Sequence, residues 1–600
     1  MKSYSLPAAL LLSSSVVLAD QAATLSPVIV TATRTAETAD ETLASVTVID
    51  REQIERSQAQ MLPEILRSVP GVTLVSNGGL GQLTSVFLRG TSSDHVLVLI
   101  DGIKVGSATS GTYSFQDVPL SQVERIEVVR GPRSSLYGSE AIGGVIQIFT
   151  RKGTATGELK PRVSVAVGSH DTYQTDAGLS GGDADGWFNL GLSALNTDGF
   201  DVKNDGETDK DGYSNRAVTL RVGREFGDSS EVELHWLRAD GEAEFDGSSQ
   251  NESESRQQVL GARISTALAD NWQSSLQLGR SWDDTDNFLD GVFSSRFETV
   301  RDNVSWQNDI AVGVADLLTL GLDYQKDEVS SSPPDYDVTE RDNKGAFVQY
   351  QTTLGQHDLI ASLRTDDNEQ FGRHNTGSLA WGYTLAKDLR VSASYGTGFK
   401  APTFNDLYWP EAGNETLQPE ESKSWELGLS GDHAGVSWSA NLYQNDIDNL
   451  IAWRPSPTPM DPFRWIPMNV NEARIRGLEL FASTRIVHWD LTSSLDLLDP
   501  KDLADDSVLN RRARKVFNLS ADRDFGRYSL GGSLQAVGKR PDGSDWLGGY
   551  TKFDLRSAYQ LAQDWALKGR IENLFDKDYQ TATSYNQDGR TYWVSLHYAP

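Results

Sequence analysis

From about residue 154 to the end, the chain repeats one pattern. Short segments of alternating apolar and polar residues are separated by stretches rich in Asp, Gly, Ser and Asn. Val163, Val165 and Val167 alternate with polar or small neighbours, as do Phe188, Leu190 and Leu192. Val232, Leu234 and Trp236 point one way and Glu233 and His235 the other; the closing segment repeats this with Tyr592, Val594, Leu596 and Tyr598. A period of two predicts β-strands with chemically distinct faces. In a soluble sandwich the apolar face is the core; in a transmembrane antiparallel β-barrel it meets lipid and the polar face meets the lumen. Two features favour the barrel: the stretch is too long for one sandwich core and has no helical crossover, and Trp, Tyr and Phe recur at segment ends. At about 20 residues per strand and connection, the region accommodates roughly 22 strands, the size class that encloses a plugged lumen.

Residues 40–152 have a different texture, that of a small α/β unit. The run Ser45-Val46-Thr47-Val48-Ile49 reads as a strand, and residues 51–67 read as a helix with Ile54, Met61, Leu62, Ile65 and Leu66 on one face. Pro70-Gly71 breaks it. Val96-Leu97-Val98-Leu99-Ile100 is a strand buried on both faces, followed by a turn at Asp101-Gly102. Residues 124–129 and 145–149 add two more strands.

The N-terminus reads as an export signal over residues 1–19. Lys2 is followed by a short, serine-diluted apolar stretch ending in Val17-Leu18-Ala19, with cleavage expected after Ala19. Residues 20–39 form a polar leader. No later run is long enough for a spanning helix. With no cysteine, disulfide frameworks, thiol catalysis and cysteine metal sites are excluded. A formal net charge of -30 argues against nucleic acid as a partner. Acidic loops suit divalent cations, or serve only as a soluble, charged surface. The 8 histidines show no paired metal spacing, so no catalytic residues and no redox cofactor are expected.

Several motifs carry a family resemblance over nearly the whole mature chain. Asn77-Gly78-Gly79-Leu80-Gly81-Gln82-Leu83-Thr84-Ser85-Val86-Phe87-Leu88-Arg89-Gly90-Thr91 is similar to an apical plug loop and its following strand, and Arg125-Ile126-Glu127-Val128-Val129-Arg130-Gly131-Pro132 to a plug signature. Asn573-Leu574-Phe575-Asp576-Lys577-Asp578-Tyr579 resembles a penultimate-strand signature, and Asp366-Asp367-Asn368 with residues 370–374 a more particular one. The chain thus resembles the TonB-dependent outer-membrane receptors, most closely their cobalamin-transporting branch. It departs from them at its end, where Tyr598-Ala599-Pro600 stands in place of the usual terminal Phe.

The resemblance implies domains (plug 40–152, barrel 153–600) and site residues. Pro27, Val28, Ile29, Val30, Thr31 and Ala32 look like the segment offered to the TonB energy-coupling protein in the periplasm; physically it is a β-prone strand suited to strand addition, expected to be unpaired in a flexible leader. The bland reading is an ordinary first strand of the plug. Arg89 and Arg130 each precede Gly in apolar surroundings, and a buried guanidinium needs a carboxylate; by resemblance the partners are Glu426 and Glu479, forming a plug-to-barrel lock. Leu83, Ser85, Ser92, Thr109 and Ser110 are expected atop the plug, facing outward, with Asn303, Arg511 and Trp546 completing a pocket for a large ligand. Asp201, Glu207, Asp209, Asp211, Asp246 and Glu252 (or Glu254) are expected to bind calcium in outer loops, against the alternative of solvated acidic hairpins.

The function this implies is energy-coupled import of cobalamin or a related corrinoid across the bacterial outer membrane. The protein is expected to be a monomer in contact with lipid and lipopolysaccharide. A receptor for an iron siderophore or haem is the alternative within the class, and a passive diffusion porin the alternative outside it.

Overall fold

The computed structural model describes residues 28–600 apart from 40, 155–156, 228, 334, 411, 457–463 and 471. The export signal and Pro27 lie outside the described residues.

The alternating segments form a closed antiparallel barrel of 22 strands, from Lys160–Gly168 to Thr591–Tyr598. The last strand pairs with the first from Val163↔Tyr598 to Gly168↔Trp593, which leaves no free sheet edge. Burial decides between sandwich and barrel. Asn189 is 0% exposed and Leu190 beside it 36%; Thr219 is 1% exposed and Leu220 39%. The polar face is therefore the covered one and the apolar face points out, which is stable only against lipid. Connections at one end are tight turns, such as those at Gly355, Gly435 and Val487-His488, whereas those at the other carry helix Phe404–Tyr408 and hairpin Ile451–Pro455 with Trp465–Asn469. Short turns mark the periplasmic side and long loops the outside. Near the short-turn end the aromatics cluster: Trp565 with Tyr598, Tyr528 with Tyr559, and Trp381 with Tyr383, the last two pairs stacked. They form the girdle expected at a membrane interface.

The plug fills the lumen. Its core is a five-stranded sheet in the order Val46–Ile49, Val123–Arg130, Gly144–Thr150, Val96–Ile100, Ile103–Val105. Val96–Ile100 pairs parallel with Gly144–Thr150 and antiparallel with Ile103–Val105, and all five of its residues are buried, as its unbroken apolar run requires. The single helix expected over 51–67 is two. Asp50 caps Arg51–Ser57 through the Gln53 amide, Gln58 ends it with φ +57°, and Leu62–Leu66 starts afresh after Met61. The break lets Ile54 and then Leu62, Ile65 and Leu66 reach one core, which the imperfect helical spacing could not do on a straight axis. A hairpin of Val72–Ser76 and Thr84–Leu88 carries the apical loop 77–83.

Candidate functional site

The lock residues come from two plug strands and two barrel strands. Arg89 ends Thr84–Leu88 in a left-handed conformation (φ +52°), uncommon for a residue with a side chain, and its amide donates to the Gly71 carbonyl at 2.7 Å. Its guanidinium forks between two carboxylates: Nε and Nη2 donate to Glu479 at 2.8 and 2.7 Å, and Nη1 donates to Glu426 at 2.7 Å. Arg130 Nε lies 3.4 Å from Glu479, and its Nη1 donates to Thr47 at 2.6 Å. Ser45 donates to Glu426. Arg89, Arg130 and Glu479 are buried and Glu426 is largely so, and the Arg89 guanidinium also sits 4.2 Å from the Tyr443 ring. Two opposite charges flank Arg89, so its proton is held more firmly than usual despite burial, which works the other way. Pro70-Gly71, read from sequence as a helix stop, belongs to this site. Gly71 has φ +74°, and a Cβ there would stand 2.4 Å from Glu479 Oε1.

Around the rest of the wall the plug is held by ion pairs that the sequence did not reveal. Arg301 bridges Glu140 of the plug and Asp327 of its own sheet at 3.1 and 2.6 Å. Lys400 meets Asp94 at 2.6 Å and Glu420 at 3.4 Å, while His95 lies 2.9 Å from Glu420. Burial alone would raise the Asp94 carboxyl, but the Lys400 ammonium and His95 hold it down at about 2. Arg221 reaches Asp101, and Arg570 reaches Glu64. Nothing in a linear sequence tells which strand of a closed wall a plug residue faces.

The segment expected to hang free is folded. Val28–Ile29 pairs antiparallel with Glu37–Thr38, Ile29 is buried, and Glu127 accepts hydrogen bonds from the Val30 and Thr31 amides at 3.1 and 2.9 Å. The Thr31 hydroxyl adds a third at 2.5 Å, Tyr137 donates to the Thr31 carbonyl at 3.1 Å, and Ala32 is buried. The reason is local: a β-prone strand finds a partner strand eight residues on, and a buried carboxylate, Glu127, needs donors. Arg34 then ties the segment to the wall through Asp323 at 3.0 Å.

The proposed ligand residues divide. Leu83 stands 56% exposed on the plug apex, with Ser85 and Ser92 beside it half-buried; Ser92 Oγ accepts from Arg512 at 3.2 Å. Arg511 and Trp546 come together in neighbouring outer loops, since Arg511 pairs with Asp542 at 2.7 Å and the exposed Trp546 lies on the hairpin Arg540–Asp542 with Asp545–Leu547. Ser110 is exposed but Thr109 is not: its hydroxyl hydrogen-bonds Ser107 at 2.6 Å and its carbonyl accepts from Asn405, which pins the loop under helix Phe404–Tyr408. Asn303 also misses the mouth. It lines a small cavity between plug and wall with Lys104, Tyr137 and Arg34, because its strand register turns it to the lumen below the loops.

Five of the six acidic residues converge. Carboxylate oxygens of Asp201, Asp211 and Asp246 lie within 4.8 Å of one another, as do those of Glu207, Asp209 and Asp246. Asp246 is common to both sets. Its Oδ2 is buried with no hydrogen-bond partner among the described residues, and its carboxyl is pushed up by burial and by Asp205, Asp209 and Asp201. Glu252 joins neither set: it begins the strand Glu252–Ala269, paired to Glu244.

Comparison with known proteins places this geometry. Residues 162–574 match the family model described as TonB dependent receptor-like, beta-barrel, and residues 38–145 that of the TonB-dependent Receptor Plug Domain. A protein named Vitamin B12 transporter BtuB from Photobacterium profundum is 38% identical over 98% of each chain. One of the same name from Vibrio vulnificus is 34% identical over 97% of this chain and 96% of its own. Among solved structures, the siderophore receptor PirA from Acinetobacter baumannii superposes with a TM-score of 0.80 over 92% of this chain and 98% of its own at 19% identity. A ferric enterobactin receptor (PfeA) mutant from Pseudomonas aeruginosa gives 0.81 over 96% and 100% at 20% identity. At such identities these two speak for the fold alone.

Proposed function

Because the chain belongs to the TonB-dependent receptor family and is an outer-membrane β-barrel, we propose that it imports cobalamin or a related corrinoid, using energy delivered by the periplasmic TonB protein. The observation that carries the substrate is end-to-end likeness, at 38% identity over 98% of both chains, to a protein named for vitamin B12 transport. The geometry supports the class. A filled lumen rules out free diffusion through an open pore, so uptake needs work done on the plug, and residues 28–32 are the handle. Val28 is 54% exposed and its strand pairing is only two residues long, so a partner sheet can compete for it. An exposed Leu83 with Ser85 and Ser92 below suits a bulky ligand recognised by shape and hydrogen bonds.

Calcium is the second part of the reading. The buried, unpartnered Asp246 Oδ2 between two carboxylate groups fits a hard cation with oxygen ligands. Asp201, Asp211 and Asp246 would hold one ion and Glu207, Asp209 and Asp246 a second, neutralising repulsion among these loops and fixing them above the plug. The protein acts as a transporter with no catalytic residue, as a monomer among lipid and lipopolysaccharide. Isothermal titration of purified protein tests the substrate: cyanocobalamin should bind with calcium present and more weakly after chelation. Binding of ferric enterobactin, but not of any corrinoid, would transfer the assignment to siderophores and leave the transport class intact.

A further inference from the structure

The plug does not fit its wall equally well all round. Where Lys104 and Arg364 stand between plug and wall, and where Leu136 faces Ser378, the gaps are small, about 50 and 40 Å³. Near the closing strands the fit is loose. An outer chamber of about 130 Å³ lies under the outer loops, lined by His170, Phe200 and Tyr579. An inner chamber of about 350 Å³ reaches the short-turn end, lined by Arg56, Asp490 and Arg556. The two chambers share Glu64, Arg67, Gln535, Arg570 and Glu572. On the other side of helix Arg51–Ser57 lies a further void of about 320 Å³.

We propose that substrate passes the plug along this seam, between residues 51–67 and the wall strands Tyr528–Val537, Tyr550–Ala562 and Trp565–Glu572, and that the Glu64–Arg570 ion pair is its gate. The inference rests on the import reading given above. The pinch is built from contacts that can exchange. Arg570 Nη1 donates to Glu64 at 2.8 Å and to the Gln58 carbonyl at 2.7 Å, and its Nη2 lies 3.9 Å from Glu572, a ready alternative partner on the same strand. Gln535 donates to the Arg67 carbonyl at 3.1 Å. Releasing Glu64 therefore leaves Arg570 with a carboxylate still beside it, so the gate opens without stranding a buried charge. Across it the plug backbone is already interrupted, with Gln58 at φ +57° between the two helices. These short helices pack on the plug core through Ile54, Leu62, Ile65 and Leu66 but border voids on the side that faces the wall, so pulling on the plug would shift them against the wall before it disrupts the sheet.

The natural chain has no cysteine, so tethers can be placed cleanly. In whole cells, E64C/R570C is joined by a bis-methanethiosulfonate linker, and S135C/S362C, whose hydroxyls are 2.8 Å apart, is oxidised to a disulfide. Ser362 lies on the eleventh wall strand and Arg570 on the twenty-first of 22, on opposite sides of the barrel. Energised cyanocobalamin uptake should fall at least tenfold with the seam tether, return on reduction, and stay within twofold with the opposite tether, while surface binding stays unchanged in both. Uptake through the tethered seam, or equal block by both tethers, overturns the proposal. Absence of cyanocobalamin binding in untethered cells would instead refute the substrate. The seam is then judged by labelling: a membrane-impermeant maleimide should modify Q535C at least threefold faster in energised cells than in protonophore-treated cells, and S362C equally slowly in both. Equal rates for Q535C overturn it.

Discussion

Replacing Arg89 by Ala removes the cation on which two barrel carboxylates depend. Glu426 and Glu479 lie within 2.7 Å of it, and all three side chains are largely buried. At charge separations near 4 Å and an effective dielectric of about 20, each pairing contributes about 4 kcal/mol before desolvation. Taking each ion out of water costs several kcal/mol, so the assembled lock adds little net stability, whereas breaking it from one side leaves charge uncompensated at a cost of about 3–5 kcal/mol. Arg130, 3.4 Å from Glu479, offsets part of this and places the expected loss at the lower end. Amide hydrogen exchange in Thr84–Leu88 reads the loss: if opening becomes easier by about 3 kcal/mol, exchange rises roughly a hundredfold. A double variant, Arg89→Met with Glu426→Gln, should recover most of the protection, because it removes one charge of each sign and leaves Glu479 paired with Arg130. Exchange in R89A within threefold of wild type, with the barrel intact, would refute the view that these four side chains anchor the plug.

Other outcomes follow from the same geometry. Asp246→Asn should weaken calcium binding at both acidic sets at least tenfold by titration calorimetry, while Glu252→Gln should not change it. Because burial and the surrounding Asp carboxylates raise the Asp246 pKa, protons should displace calcium at a higher pH than for an ordinary aspartate, so affinity falls as pH falls and is kept at neutral pH. Arg34→Ala removes the tie to Asp323 and should increase the mobility of a spin label at Val28, with cyanocobalamin affinity unchanged within twofold; an immobile label would show that the strand pairing alone holds the segment. Val30→Pro deletes the amide that donates to Glu127 and should abolish uptake but keep binding; normal uptake would remove residues 28–32 from the coupling role. Gly71→Ala meets Glu479 at 2.4 Å with a strained φ and should lower plug stability by about 1–3 kcal/mol in denaturant titration.

The wall was legible because its signal repeats: Leu190, Leu220 and Leu260 each stand out toward lipid beside covered neighbours, and period two leaves one choice per strand. The lock was legible only through motif resemblance, since Arg89 and Glu479 are 390 residues apart. What the sequence misjudged were local matters settled by tertiary partners. Glu127, read as one polar position in a strand, is buried and recruits the Val30 and Thr31 amides. Thr109 looked like a small polar residue suited to a ligand but caps the loop beneath Asn405. Glu252 lies near Asp246 in sequence, yet it starts a strand paired to Glu244 that leads away from the other carboxylates.

These contacts define a route for force. Residues 30 and 31 bind Glu127, and Glu127 shares the strand Val123–Arg130 with Arg130, which reaches Glu479. A pull on the N-terminal segment first meets the two-residue pairing with Glu37–Thr38, then the Glu127 carboxylate, and three residues farther along the same strand the lock itself. Val123–Arg130 pairs on both sides, with Val46–Ile49 and Gly144–Thr150, so load applied at Glu127 spreads into the sheet as shear across many hydrogen bonds. The segments Arg51–Ser57 and Leu62–Leu66 have less lateral support: two short helices interrupted at Gln58, they are tied sideways through the backbone by the bonds of Gln60 and Leu62 to Leu120 and Val118. Under load the sheet and its lock should therefore hold, and the helical segment beside the loose seam should yield first.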